Sequence, residues 1–305
     1  MKNKLTAAQI IIPMVSPFKS DLSIDEGAVT RMSAMFVKAG VSIFVIGTTG
    51  EGDSMSELQR KMLLKIAVKE VNGRSKIYAG LTGNSLLSSI EDAQKYADLG
   101  ADYLVAKLPS YYPMDENQML RYLEELANSV KLPLFIYNIP STTHHSIPVS
   151  VIDQLSYHPN VAGLKDSERN IERLDESIRL WGDRDDFDFL IGCAPMSVYG
   201  LTKGANGIVP STGNLCPEWY VQMIDYIQAN NTEGAKQMQE KTDRISAIYQ
   251  NGRTLSQSIP ALKVMMKMKG LCTGEVMPPM ISIASNEKEA FISEVNNEWN
   301  NLNFK

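Results

Sequence analysis

Two lysines stand where an amine could act as a nucleophile. Lys107 and Lys165 each end a short apolar run, YLVAK and VAGLK. Burial of such a residue disfavours the ammonium and favours the free amine, which attacks carbonyl carbon. Spacing alone leaves the two level, since either could reach solvent along its aliphatic stem or pair with a carboxylate. Thr48 and Thr49 lie in a glycine-bracketed turn, GTTGE (Gly47–Glu51). Such a turn exposes backbone N–H groups that can hold a carboxylate or an oxyanion. A plain turn with a threonine cap is the other reading. Tyr137 nears the end of a further apolar run, LFIYN. A buried tyrosine hydroxyl needs a polar partner, and it can shuttle protons when a neighbouring hydroxyl relays them. A structural tyrosine fits the same place.

Other chemistries are disfavoured. His144 and His145 are adjacent, so on an extended loop they point apart and do not share a metal. There is no HExxH motif and no cluster of histidines with carboxylates, and His158 reads as surface. No metal is expected. Neither GxGxxG nor GxxxxGK[ST] follows an early strand, so dinucleotide and P-loop readings lack their central feature. Cys193, Cys216 and Cys272 are far apart with no CxxC pair, which reads as reduced, mostly buried thiols of a cytoplasmic protein. The net charge of −5 disfavours a nucleic-acid partner, which calls for a basic face. The leading segment, MKNKLTAAQIIIPMVSPF, carries an apolar patch interrupted by Pro13 and Pro17. It is too short for a membrane span and lacks the pattern of a signal peptide, so it reads as a first strand.

The elements that must position these groups form a repeating pattern. Short, near-continuously apolar runs recur at Ile10–Val15, Ile43–Gly47, Lys76–Leu81, Tyr103–Lys107, Leu134–Asn138, Val161–Lys165, Phe187–Gly192 and Gly207–Pro210. Such runs suit strands of a parallel sheet covered by helices. Helical patterns separate them, at about Asp25–Ala39, from Ser56 with a Ser56–Gln59 capping box, at Leu86–Leu99 and at Glu116–Val130. Gly40 and Gly100 follow two of these helices as stop signals. Eight such units predict an α/β fold, a closed (β/α)8 TIM barrel, which typically takes about 250 residues of a chain such as this one. The 305 residues leave room for an addition, and 44% apolar content suffices for a large core. Beyond residue 210 the pattern is helical, at about Glu218–Ala229, Gly234–Tyr249, Ile259–Lys269 and Lys288–Asn300. We therefore expect a barrel bearing the active site over 1–230 and a C-terminal three-helix extension over 231–305. Active sites of such barrels gather at the C-terminal strand ends, where all the groups above fall.

Taken in order, the strand-end segments resemble the dihydrodipicolinate synthase / N-acetylneuraminate lyase family of class I, pyruvate-type aldolases. The matching pieces are Met14–Phe18, GTTGE, PSYYP (Pro109–Pro113), YNIP (Tyr137–Pro140), GLKDS (Gly163–Ser167) and GIVPSTGN (Gly207–Asn214). Each is weak alone; together, in family order and spacing over nearly the whole chain, they are specific. The resemblance implies that Lys165 forms an imine with pyruvate or another 2-oxo acid, which decides between the lysines. It implies that Tyr137 moves the proton, that Thr48 and Thr49 hold the substrate carboxylate, and that Gly192 and Val209 line the pyruvate pocket. It assigns Tyr112 to a Thr–Tyr–Tyr relay reaching in from a neighbouring subunit, hence a homo-oligomer, usually a tetramer built as a dimer of dimers. The covalent imine would be the only cofactor-like group. The second substrate would be an aldehyde.

The chain departs from the best-known members. Synthases carry an arginine two residues after the YNxP proline; here that position is Thr142, which cannot replace a bidentate guanidinium. Sialic acid lyases carry an acidic pair after the seventh strand; here the chain reads Gly192-Cys193-Ala194-Pro195. The expected activity is therefore cleavage or formation of a 4-hydroxy-2-oxo acid such as a 2-keto-3-deoxy sugar acid, or dehydration of one through the same imine. The alternatives are 4-hydroxy-tetrahydrodipicolinate synthase, N-acetylneuraminate lyase and a non-catalytic 2-oxo-acid sensor. Thr142, His144, His145, Cys193, Ala194, Ser167 and Ser211 are expected to shape specificity, the two serines by meeting substrate hydroxyls.

Overall fold

Eight strands pair in parallel, each with its sequence neighbours, and the last pairs with the first. They are β1 (Gln9–Pro13), β2 (Ser42–Val45), β3 (Ile77–Leu81), β4 (Tyr103–Lys107), β5 (Leu134–Asn138), β6 (Val161–Asp166), β7 (Asp188–Ile191) and β8 (Gly207–Ile208). The computed structural model describes residues 8–304 and is the predicted (β/α)8 barrel. Residues 1–7 and 305 lie outside the described residues, so the start of the segment read for a signal peptide is not part of this description. Among the described residues no helix is long and apolar enough to cross a membrane.

Strand alternation sorts the apolar runs into two cores. Ile11, Phe44, Tyr78, Val105, Phe135, Tyr137, Leu190 and Val209 fill the barrel interior. Ile12, Ile43, Leu104, Ile136, Leu164 and Ile208 face outward onto the helices. Both strand faces are therefore buried, which is why the runs read as continuously apolar.

The barrel helices are α1 (Glu26–Ala39), α2 (Glu57–Val71), α3 (Leu86–Leu99), α4 (Glu116–Ser129), α5 (Pro140–Thr143), α6 (Val149–Leu155), α7 (Ile171–Trp181), α8 (Ser197–Lys203) and α9 (Pro217–Gln228). The tail adds α10 (Thr232–Gln250), α11 (Leu255–Met268) and α12 (Ser285–Asn301). The Ser56–Gln59 capping box opens α2, and Gly40 and Gly100 end α1 and α3 in the left-handed region, as read from sequence. Several readings need correction. β1 stops at Pro13 rather than Val15, and β8 at Ile208 rather than Pro210. β2 stops at Val45, because Ile46 turns to φ 63° and breaks the extended run expected to reach Gly47. α11 starts at Leu255 rather than near Ile259. A Thr254–Gln257 capping box begins it a turn earlier, and Pro260 is tolerated inside. His158, expected at the surface, is half-buried, bonded to Asn128 at 3.0 Å and accepting from the Asn160 N–H at 3.1 Å. The three cysteines are free and buried, as expected.

Candidate active site

Sheet register brings the chemistry together. Tyr137 on β5 pairs with Lys107 on β4 and with Lys165 on β6, so three reactive side chains share one level near the strand ends. Their surroundings separate the two lysines. Lys107 Nζ lies 3.0 Å from Asp53 Oδ1, an ordinary ion pair. Lys165 is 6% exposed and has no carboxylate partner among the described residues. Its Nζ stands 3.9 Å from the centroid of the Tyr137 ring and 5.0 Å from that of Phe44. An amine held between aromatic rings, away from bulk water, is free to attack a carbonyl.

The turn after β2 is built by backbone constraint. Ile46 (φ 63°) and Glu51 (φ 57°) both adopt the left-handed region, costly for a β-branched residue. A Cβ on Gly52 would sit 2.2 Å from the Ile46 carbonyl oxygen, so only glycine fits there. The turn's own bonds run from Glu51 N–H to the Thr48 carbonyl (3.0 Å) and from Gly52 N–H to the Gly47 carbonyl (3.1 Å). The N–H groups and hydroxyls of Thr48 and Thr49 are left without a partner among the described residues. Glu51 is buried against Lys263 of α11, and its other oxygen accepts from the Met277 N–H at 2.7 Å. The turn is thus tied to the tail.

Lys165, Tyr137, Thr48, Thr49, Ser167, Gly192, Val209 and Ser211 line one cavity of about 520 Å³. The Tyr137 hydroxyl has no partner among the described residues. Gly192 donates its N–H to the Asp166 carbonyl at 2.6 Å. A methyl added at Gly192 would stand 2.1 Å from Ser167 Oγ and 2.9 Å from the Asp166 carbonyl oxygen. Gly192→Ala is expected to cost roughly 1–3 kcal/mol through this overpacking, read by thermal denaturation. An unchanged melting temperature would mean that the loop yields freely. The Ser211 hydroxyl is taken: it bonds to Tyr249 Oη at 2.7 Å, and Thr212 shares the same oxygen at 2.9 Å. Asp166, beside Lys165, is structural. It accepts from Arg173 Nε at 2.6 Å, from Asn138 Nδ2 at 3.1 Å and from the Glu168 N–H at 2.9 Å. Burial pushes its carboxyl up, against the pull of Arg173.

Several expected residues are elsewhere. Tyr112, assigned by the resemblance to a neighbouring subunit's site, is 74% exposed and outside the cavity of its own chain, packed edge-on against Tyr111. Thr142, His144 and His145 do not line the cavity, whereas Cys193 and Ala194 do. The reason is local: Pro140 starts the single turn of α5, which carries these side chains away, and His145 Nε2 meets the Tyr112 carbonyl at 3.1 Å. Sequence reasoning missed Ser141, Arg169, Gln250, Arg253, Ser258 and Leu262, all of which line the cavity. Arg169 could have been found, since it follows Lys165 in the loop after β6. The others needed the tail to fold over the barrel mouth, which no strand-end rule foretells. No group of three or more His, Cys, Asp or Glu able to hold a metal occurs among the described residues.

The sequence profile of the dihydrodipicolinate synthetase family matches residues 6–298. The chain belongs to that family. Its members are class I carbon–carbon lyases, and so is this chain. A 4-hydroxy-tetrahydrodipicolinate synthase of Methanococcus maripaludis is 27% identical over 291 residues, covering 95% of this chain and 96% of the relative. An uncharacterised DapA-like lyase of Halobacterium salinarum is 25% identical over 287 residues, covering 94% and 92%. The solved dihydrodipicolinate synthase from Bacteroides thetaiotaomicron superposes with a TM-score of 0.89 at 29% identity, covering 95% of this chain and 98% of that one.

Proposed function

We propose that the protein is a Schiff-base aldolase or lyase that joins pyruvate, or another 2-oxo acid, to an aldehyde, or runs that reaction backwards on a 4-hydroxy-2-oxo acid. The observation that carries the reading is Lys165: a buried amine without a carboxylate partner, 3.9 Å from the Tyr137 ring, at the floor of a cavity. Lys165 Nζ adds to C2 of the 2-oxo acid and water leaves, giving a protonated imine. Loss of a C3 proton gives an enamine. Its C3 then bonds to the aldehyde carbon while the aldehyde oxygen takes up a proton, and hydrolysis returns the free amine. Tyr137, whose ring stands 3.9 Å from Lys165 Nζ and whose hydroxyl has no partner among the described residues, is the group for these transfers, relayed by the Thr48 hydroxyl. The unpartnered N–H groups of Thr48 and Thr49 suit the substrate carboxylate. The group that forms on Lys165 is the covalent intermediate, and the chemistry needs no metal.

Synthase names among the relatives favour a second reading, 4-hydroxy-tetrahydrodipicolinate synthase. Against it, Thr142 is no guanidinium and lies outside the cavity. Incubation with pyruvate and borohydride, then mapping by mass spectrometry, tests the mechanism: a reduced pyruvate adduct is expected on Lys165 and not on Lys107. Protein that gains no such adduct is not this kind of enzyme. Rapid turnover of aspartate semialdehyde would move the choice to the synthase.

The exposure of Tyr112 supports its use by a second copy of the chain. The protein is expected to sediment as an oligomer, and Tyr112→Phe to slow turnover by roughly tenfold or more. A fully active monomer contradicts both.

A further inference from the structure

Two arginines line the cavity without an ion-pair partner among the described residues, and Arg253 also borders a second groove lined by Glu294 and Glu298. Arg169 lies in the loop after β6, and Arg253 directly precedes the Thr254 cap of α11. Both line the cavity that has Lys165 at its floor. Arg169 is exposed and Arg253 half-buried, so they stand toward the mouth while Lys165 is enclosed. Neither forms an ion pair with any described residue. Arg169 reaches Gln250 Oε1 at 3.5 Å and the Cys193 thiol, neither of which carries a carboxylate. Arg253 is held in place by one bond to the Ile248 carbonyl at 2.8 Å and by the Phe291 ring, 5.1 Å from its guanidinium carbon. That leaves most of its five N–H donors unused but pre-organised.

The carboxylate lining the same cavity, that of Glu168, forms no ion pair with either of them. Glu168 Oε2 accepts from Asn138 Nδ2 at 3.0 Å and from Ser146 Oγ at 2.7 Å, and lies 3.6 Å from Arg173 Nε. A chain of net charge −5 has therefore gathered two unpaired arginines at the rim of one cavity. Guanidinium groups so placed match a carboxylate or phosphate, which they bind bidentately.

We propose that Arg169 and Arg253 form an anion clamp for the far end of the second substrate. The aldehyde then carries a carboxylate or a phosphate distal to its carbonyl. The inference rests on the imine reading, because it is Lys165 that fixes which end of the substrate is near. The clamp comes from the loop after β6 and from the tail, and Thr142 takes no part in it.

Two matched pairs of aldehydes test it with pyruvate: butanal against 4-oxobutanoate, and D-glyceraldehyde against D-glyceraldehyde 3-phosphate. The expected result is a kcat/KM at least about tenfold higher for the anionic member of one pair, and the pair that shows it tells carboxylate from phosphate. In Arg169→Met and Arg253→Met, that ratio is expected to shrink by about tenfold, mainly through KM. The ratio is taken within one preparation, so a misfolded fraction cancels. Wild-type protein that traps pyruvate on Lys165 yet shows no anionic preference, or turns over neither anionic aldehyde, overturns the clamp and leaves the imine reading standing. So does a preference that both variants keep. Failure to trap pyruvate overturns the imine reading and the clamp with it.

Discussion

Lys165→Met is expected to lower kcat/KM for aldol cleavage or addition by more than about 10³-fold, because it removes the group on which the covalent intermediate forms. Methionine keeps the length and apolar stem of lysine and deletes only the amine. The site tolerates this change well: the Nζ contacts are the rings of Tyr137 and Phe44, and no ion pair among the described residues is broken. The melting temperature should therefore hold or rise while activity and the borohydride-trapped adduct disappear. Lys107→Met is the matched control. It sits at the same sheet level, one strand beyond Tyr137, but its charge is spent on Asp53. Its loss of activity is expected to stay within about tenfold, as for an ion pair whose carboxylate is half exposed and which takes no part in the chemistry. Comparable losses in both variants would remove the reason for assigning the nucleophile to Lys165.

That contrast marks how far the sequence could be read. The strand-end lysines were legible because a charged residue closing an apolar run is anomalous in any parallel barrel. Which of them was paired was not legible, since Asp53 lies far from Lys107 in the chain and meets it only through the βα turn after β2. The same limit explains the rim. Thr142 and His144 are close in sequence to Tyr137 and were expected in the pocket, yet the single helical turn of Pro140–Thr143 carries them off. Arg253 and Leu262 are remote in sequence and were read as part of an appendage, yet they line the cavity. Period-2 and period-3.6 patterns report which face of an element is buried, but not which distant element covers it. The barrel with its strand-end residues follows from local pattern; the lid over it follows from tertiary packing.

Lys263→Met is expected to destabilise the protein by about 3–5 kcal/mol, the usual cost of leaving a buried charge without its partner. Lys263 and Glu51 side chains are both fully buried. Around them, the Glu275 carbonyl accepts from Lys263 Nζ at 2.7 Å, the Met277 N–H donates to Glu51 at 2.7 Å, and the Phe18 ring lies 4.3 Å from Nζ. Burial pushes the Glu51 carboxyl up and the Lys263 ammonium down, and their mutual attraction opposes both shifts. Removing the lysine leaves the carboxyl with a single backbone donor. The double variant Glu51→Leu/Lys263→Met removes both charges and should recover most of the loss, since replacing a whole buried pair by apolar groups is often nearly neutral. Urea denaturation at fixed protein concentration measures all three variants. Kinetics separates stability from function. Glu51 closes the turn that carries Thr48 and Thr49, and Lys263 belongs to α11, whose Leu255, Ser258, Ile259 and Leu262 line the cavity. If the pair holds the turn in shape, the double variant should regain stability but keep a raised KM for the 2-oxo acid. A double variant that regains both would show that the pair stabilises the fold alone, and that the left-handed backbone at positions 46 and 51 suffices to set the turn.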